Sequence, residues 1–100
     1  LRINLMTRSA DRAGVPLALQ PREFRLLAFL MQHAHQIVTR TMLLESVWDY
    51  RFDPQTNVID VHISRLRGKV DKGFEPALIH TVRGVGYSLT DAPERLPQSA

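Results

Sequence analysis

The clearest helical pattern in the chain lies in the run Thr56-Asn57-Val58-Ile59-Asp60-Val61-His62-Ile63-Ser64-Arg65-Leu66-Arg67-Gly68-Lys69-Val70. Its large apolar side chains recur at i, i+4, i+7 and i+11, and these are Ile59, Ile63, Leu66 and Val70. At about 100° per residue, the four fall within about 60° of one another around a helix. The pattern therefore predicts a helix with one buried face, which other elements must cover.

The opposite face of this helix has an unusual composition for a surface that meets only water. It gathers Asn57, Val61, Ser64, Arg65 and Gly68, whereas solvated helix faces are usually dense in Glu, Lys and Gln. Small residues allow close approach, Arg and Asn form paired hydrogen bonds to base edges, and valine can rest on a thymine methyl group. The face suits a helix in the major groove of DNA, with a plain solvated face as the alternative.

Length and composition fit one small domain without chemical cross-links. The 100 residues contain no cysteine, which excludes disulfides, thiol catalysis and cysteine-ligated zinc. No signal peptide and no run of about 18 apolar residues is present, so we expect a soluble, cytoplasmic protein without membrane association. The formal net charge is +3, and Arg, which outnumbers Lys, is well suited to phosphates and base edges. Because the chain begins with Leu, we expect a fragment of a longer protein.

The stretch before the predicted helix reads as strands followed by two helices. Alternation of apolar and polar residues over 1–19 predicts a small antiparallel sheet of three or four strands, with residues 11–14 as a turn. Pro21 favours the first position of a first helix, and Thr39 in Val38-Thr39 favours the N-cap that begins a second. We expect Phe24 and Trp48 to hold these two helices behind the third. The buried side of the second helix is predicted to contain Leu43, Leu44, Val47 and Trp48.

The C-terminal part of the chain reads as a long helix, a hairpin and a tail. Asp53-Pro54 predicts the start of the third helix, which then covers residues 54–71 and ends before Gly73. Residues 78–83 and 87–90 predict two strands joined by a turn at 84–86. Residues 91–100 contain two prolines and no apolar pattern, so we expect a domain over 1–90 and a flexible tail.

Three runs in this order resemble a known family. They are Pro21-Arg22-Glu23-Phe24-Arg25-Leu26-Leu27, Val61-His62-Ile63-Ser64-Arg65-Leu66-Arg67 and Thr81-Val82-Arg83-Gly84-Val85-Gly86-Tyr87. Together they resemble the C-terminal effector domain of OmpR/PhoB-type response regulators, over about residues 1–90. The resemblance implies an α+β fold, a winged helix-turn-helix with an N-terminal antiparallel sheet, three helices and a C-terminal hairpin wing. The runs Thr56–Asp60, Arg67–Asp71 and Phe74–Pro76 also resemble the copper and heavy-metal branch of the family.

The resemblance implies a function in bacterial two-component signalling. Such domains bind double-stranded DNA in a sequence-specific way, usually as two domains head to tail on direct repeats, and regulate transcription. Phosphorylation of a receiver domain by a sensor histidine kinase controls them, and that receiver is not part of these 100 residues. Helix 54–71 is then expected to read the major groove, and the hairpin 79–90 to contact the minor groove, with no cofactor.

The resemblance also implies roles for individual residues, assigned by their positions in the matching runs. The resemblance assigns DNA contacts to Asn57, Val61, His62, Ser64, Arg65 and Arg67 on the third helix, and to Thr81 and Arg83 in the wing. His62 also lies near the buried edge of the helix, so a place at the rim of the core is an equally good interpretation. Tyr50, Arg51 and Phe52 match a loop that family members use towards RNA polymerase, although aromatic residues in a loop are often tucked beneath it.

Other classes of function find less support in the sequence. Gly84-Val85-Gly86 lacks the third glycine and the following helix of a dinucleotide loop, and no catalytic arrangement is apparent, so we expect no enzyme. His33 and His35 are two residues apart and cannot share a helix face, so we expect no metal site. An RNA-binding surface would need aromatic stacking platforms, and the predicted third helix has no aromatic ring apart from His62. A winged helix that binds only proteins is the stronger alternative, but it should show more exposed aromatic residues and fewer arginines.

Overall fold

The computed structural model describes residues 1–48 and 58–96. Within these residues the elements follow in the order β1 (Arg2–Asn4), β2 (Ser9–Arg12), β3 (Val15–Leu17), α1 (Pro21–Gln32), β4 (Val38–Thr39), α2 (Arg40–Leu43), α3 (Val58–Val70), β5 (Ile79–Val82) and β6 (Gly86–Leu89). A π-helical segment, Leu44–Trp48, continues α2, and a 3-10 turn, Pro93–Arg95, follows β6. The predicted α+β class is confirmed. No helix in the described ranges is long and apolar enough to cross a membrane.

The N-terminal sheet is antiparallel with the order β1-β2-β3, as the alternation predicted. The turn between β2 and β3 is shorter than expected, because Asp11 and Arg12 belong to β2 and pair with Pro16 and Val15. Arg12 is 4% exposed, and its buried side chain donates a hydrogen bond to the Val70 carbonyl oxygen. The expectation that residues 11–14 form one turn is therefore wrong for its first half.

The second sheet has the order β4-β6-β5, so β6 is its central strand. Val38 and Thr39 pair with Tyr87 and Gly86, which makes them a short strand that the sequence did not predict. Thr39 nevertheless caps α2, because its hydroxyl accepts the Met42 N–H at 3.1 Å. The close approach of β4 needs a glycine at position 86, since a Cβ there would lie 2.0 Å from the Val38 carbonyl oxygen.

The core lies between α1, α2 with its π-helical continuation, α3 and the second sheet. The four apolar residues of the predicted α3 face are each no more than 1% exposed, so that face is confirmed. The predicted buried side of the second helix is confirmed as well, and Trp48 belongs to the central cluster. Phe24 is also buried, in a depression that it shares with Phe29 and Val47, and its expected joint role with Trp48 stays a prediction.

The predicted bounds of the two hairpin strands agree with the observed bounds to within one residue at each end. Gly86 belongs to β6 rather than to the turn, which consists of Arg83, Gly84 and Val85. Gly84 has a φ of 73° and Gly73, beyond the end of α3, has a φ of 83°, conformations that glycine adopts without strain. The predicted start of the third helix at Asp53-Pro54 lies outside the described residues, and the boundary between domain and tail stays a prediction.

Candidate nucleic-acid interface

The outward face of α3 is presented to solvent by the burial of its opposite face. Ser64, Arg65 and Gly68 are exposed and Val61 is half-buried, as the helical pattern predicted. Asp60, Val61, Ser64 and Arg65 line a shallow open depression on this face. Within the described part of the chain, the side chains of Ser64 and Arg65 form no hydrogen bond.

Arg67 lies on the flank of α3, next to the hairpin. Its Nε donates to the Ile79 carbonyl oxygen at 3.3 Å, and its Nη2 donates to the Thr81 hydroxyl. The guanidinium also lies 5.8 Å from the centroid of the Tyr87 ring. The structure thus brings together two predicted contact residues, Arg67 and Thr81, and joins helix to hairpin through them.

His62 lies at the edge of the core. It is half-buried, its Nδ1 lies 2.9 Å from the Val58 carbonyl oxygen, and its ring meets Trp48 edge-on with 5.2 Å between centroids. This geometry matches the interpretation of His62 as a residue of the core rim. A contact from His62 to DNA stays a prediction.

The hairpin supplies the second predicted surface. Thr81 and Arg83 are both exposed, and Arg83 begins the tight turn, which continues through Gly84 to Val85. A long cationic side chain therefore extends from the tip of the wing. The remaining candidates, Asn57, Tyr50, Arg51 and Phe52, lie outside the described residues, and their roles stay predictions.

Three residues that the sequence did not single out complete this side of the molecule. Asp60 accepts a hydrogen bond from the Tyr87 hydroxyl and an ion-paired one from Arg40 Nη1 at 2.5 Å. The Tyr87 hydroxyl, and after it Arg40, hold the pKa of Asp60 below its usual value. Burial and the hydrogen bond to Asp60 raise the pKa of Tyr87 to about 12. The only signal in the sequence was an isolated carboxylate on a helix face rich in arginine.

A second carboxylate fixes α3 from behind. Lys69 Nζ lies 2.5 Å from Oε1 of Glu23 on α1, and the Gln20 N–H donates to the same carboxylate at 2.8 Å. Burial alone would raise the pKa of Glu23, but the hydrogen bonds from Lys69 and Gln20 bring that pKa below its usual value. Glu23 therefore acts in the first turn of α1, as predicted, and also anchors α3 through Lys69.

The order of the elements, with a solvent-facing third helix beside an exposed hairpin, defines a winged helix-turn-helix domain. The chain belongs to the family "Transcriptional regulatory protein, C terminal", whose model matches residues 14–89. This is the C-terminal domain of OmpR/PhoB-type response regulators, which confirms the resemblance and the fold class.

Individual relatives agree with this assignment. The chain is 47% identical over 89 residues to the transcriptional regulatory protein CusR of Escherichia coli (strain K12), a match that covers 89% of this chain and 39% of CusR. The DNA-binding domain of Klebsiella pneumoniae RstA, solved in complex with the RstA box, superposes with a TM-score of 0.79 at 37% identity, covering 89% of each chain. The DNA-binding domain of E. coli CpxR gives 0.78 at 37% identity, covering 90% of this chain and 89% of CpxR's. The chain thus spans about two fifths of the length of the full regulators that it matches.

Proposed function

We propose that this domain binds double-stranded DNA in a sequence-specific way, as the output domain of a bacterial response regulator that controls transcription. The outward face of α3 enters the major groove, and the β5–β6 hairpin contacts the adjacent minor groove. The observation that carries the proposal is the exposure of Ser64 and Arg65 on a helix whose other face is fully buried, beside the exposed Arg83. The likeness to the RstA domain, which was solved on its DNA box, supports it.

The partners of the full regulator belong to the same proposal. Two domains bind head to tail on direct repeats, and a receiver domain outside these 100 residues, phosphorylated by a sensor histidine kinase, governs them. Tyr50, Arg51 and Phe52 contact RNA polymerase, and the regulator acts in the cytoplasm. The likeness to CusR supports a place in the copper and heavy-metal branch, which the sequence resemblance indicated. No catalysis is part of this function.

A domain that binds only proteins is the alternative, and the position of exposed apolar residues separates the two. The large exposed hydrophobic residues of the described chain are Leu5, Met6 and Val15, which all lie in or beside the N-terminal sheet. The described part of α3 exposes Ser64 and Arg65 and carries no aromatic residue except the half-buried His62. This composition suits a groove of DNA better than an apolar protein surface.

Selection of bound sequences from a random duplex pool tests the function directly. We expect enrichment of one motif as a direct repeat, since two domains in the same orientation read the same half-site twice. If about six phosphates are neutralised, log affinity should fall against log salt with a slope near −5, from roughly −0.9 per phosphate. A pool that stays random after several rounds, or an affinity that does not respond to salt, would contradict the proposal.

Two arginines should differ in how they recognise the operator. Arg65→Ala is expected to relax preference at one base pair and to lose about 1–3 kcal/mol on the preferred sequence, because its side chain reaches a guanine edge. Arg83→Ala should weaken sites whose hairpin flank is rich in A·T, because a narrow minor groove attracts an inserted arginine. Titrations on the operator, on one-base variants and on G·C-flanked duplexes measure both effects. Arg2→Ala, which removes the same charge from exposed β1, is the control.

The role of Arg67 is tested with the same duplexes. We predict that it contacts a phosphate, so Arg67→Ala should weaken all sequences alike and reduce the salt slope by about one unit. If Arg65→Ala, Arg67→Ala and Arg83→Ala all lose affinity uniformly on every duplex, the arginines supply only charge and the division of roles is wrong.

A further inference from the structure

Asp60 places a negative charge on the surface that is proposed to bind DNA. It lies in the same depression as Ser64 and Arg65, and it is the acidic residue among the described residues that line this depression. A carboxylate at such a position repels the phosphates that flank the groove, which costs affinity unless the charge is compensated. The residue therefore needs a role that offsets this cost.

The contacts of Asp60 supply such a role. One oxygen, Oδ1, accepts from the Tyr87 hydroxyl on β6 and from Arg40 Nη1 at the start of α2. A single side chain of α3 thereby holds two other elements of the domain. Both hydrogen bonds end on Oδ1, so the carboxylate is oriented by β6 and α2.

Tyr87 extends this connection along the helix. It pairs with Val38 on one side and Thr81 on the other, so it occupies the middle of the central strand. Its hydroxyl meets Asp60 while its ring lies beneath the guanidinium of Arg67, 5.8 Å from the centroid. Asp60 and Arg67 are seven residues apart and thus lie on one side of α3, two turns from each other. One tyrosine is therefore held at two points along the helix.

We propose that Asp60 is a positioning residue, which fixes the angle between α3 and the hairpin so that one domain can contact the major and the minor groove at once. This inference rests on the proposed DNA-binding function. Asp60 itself contacts neither bases nor phosphates. It acts through Tyr87 on the hairpin sheet and through Arg40 on α2.

The protonation states of Asp60 and Tyr87 favour the hydrogen bond between them near neutral pH. The pKa of Asp60 is lowered, chiefly by the Tyr87 hydroxyl, and the pKa of Tyr87 is raised to about 12 by burial and by Asp60. The acceptor is therefore charged and the donor is protonated under ordinary conditions. A hydrogen bond to a charged acceptor is stronger than a neutral one.

The test uses Tyr87→Phe and Asp60→Asn, which both weaken this connection. Tyr87→Phe leaves the ring beneath Arg67 and changes no charge, and Asp60→Asn removes a negative charge from the DNA side. We expect each to lower affinity for the selected operator by about tenfold, the scale of one charge-assisted hydrogen bond. On a duplex whose hairpin flank is replaced by G·C pairs, where the wing contributes little, we expect affinity to change less than twofold.

The control and the double variant make the result specific. Glu45→Gln removes one negative charge from another exposed position, and it should leave affinity unchanged or slightly higher. The double variant should lose little more than either single variant, because both remove one connection. If Asp60→Asn does not fold, Tyr87→Phe alone decides, with melting temperature as the check on folding.

Three results would overturn the inference. Equal losses on both duplexes would show a merely structural role, and a loss confined to one base pair would make Asp60 a reader of bases. If Asp60→Asn binds DNA more tightly and Tyr87→Phe binds it unchanged, the effect of Asp60 on affinity is only its repulsion of the DNA phosphates. If the original chain itself prefers no sequence, the proposed function fails instead, and the selection experiment reveals this separately.

Discussion

Replacement of Trp48 by alanine is expected to lower the free energy of unfolding by about 3–5 kcal/mol, a large part of the stability of a small domain. Trp48 is 5% exposed within the central cluster, and its ring meets the His62 ring of α3 edge-on. The guanidinium of Arg22 on α1 lies 5.6 Å from the Trp48 ring centroid. The side chain thus joins three helices, and its loss leaves a cavity at their junction.

Urea unfolding followed by circular dichroism measures this effect. Phe29→Ala on α1 is the matched control, because Phe29 is only half-buried at the edge of the same cluster and should cost clearly less. Loss of Trp48 also frees His62 from its edge contact, so DNA affinity should fall at temperatures where the variant is still folded. An unchanged melting temperature would show that Trp48 does not hold α2 against α3.

The parts of the fold that the sequence predicted are those that local patterns determine. The buried face of α3 follows from four apolar residues at helical spacing, and the cap at Thr39 follows from one hydroxyl and the next turn. The strand character of Val38 was missed, because it depends on pairing with Tyr87, far along the chain. Arg12 was assigned to a turn for the same reason, since its acceptors come from the end of α3 and beyond.

In the candidate site too, the sequence predicted what local geometry determines and missed what depends on distant contacts. Helical geometry alone was enough to place Ser64 and Arg65 on the exposed face. It could not show where a long side chain ends, so the bonds from Arg67 to the hairpin and the partners of Asp60 appeared only in the structure. Their partners lie on β5, β6 and α2, whose arrangement around α3 no local spacing encodes.

Arg12 and Asp71 form an ion pair in which Arg12 is buried and Asp71 is largely buried. Arg12→Met is expected to lower the free energy of unfolding by about 3–5 kcal/mol, because it leaves a largely buried carboxylate without its cation. The side chains of Arg12 and Asp71 are 5% and 12% exposed, and Nη1 of Arg12 lies 2.9 Å from Oδ1 of Asp71. The same guanidinium donates to the carbonyl oxygens of Val70 and Pro76 and lies 5.3 Å from the Phe74 ring centroid.

This pair also joins the N-terminal sheet to both elements of the proposed DNA surface. Arg12 from β2 binds the last carbonyl of α3, and Asp71 accepts the N–H groups of Leu78 and Ile79 at 2.9 and 3.1 Å, where β5 begins. Phe74 and Pro76, in a run that resembles the copper and heavy-metal branch, therefore help to form the site that receives Arg12. We expect Arg12→Met to weaken DNA binding beyond what its unfolded fraction explains.

Chemical unfolding of Arg12→Met, Asp71→Asn and the double variant measures the interaction free energy between the two side chains, apart from their other contacts. The double variant should lose clearly less than the sum of the two single losses, because the second substitution removes a carboxylate that the first left uncompensated. Arg2→Met, which removes an exposed arginine from β1 of the same sheet, should change stability by no more than about 0.5 kcal/mol. Strictly additive losses would mean that the two side chains act independently, and Arg12 would then stabilise the fold through the Val70 and Pro76 carbonyls alone.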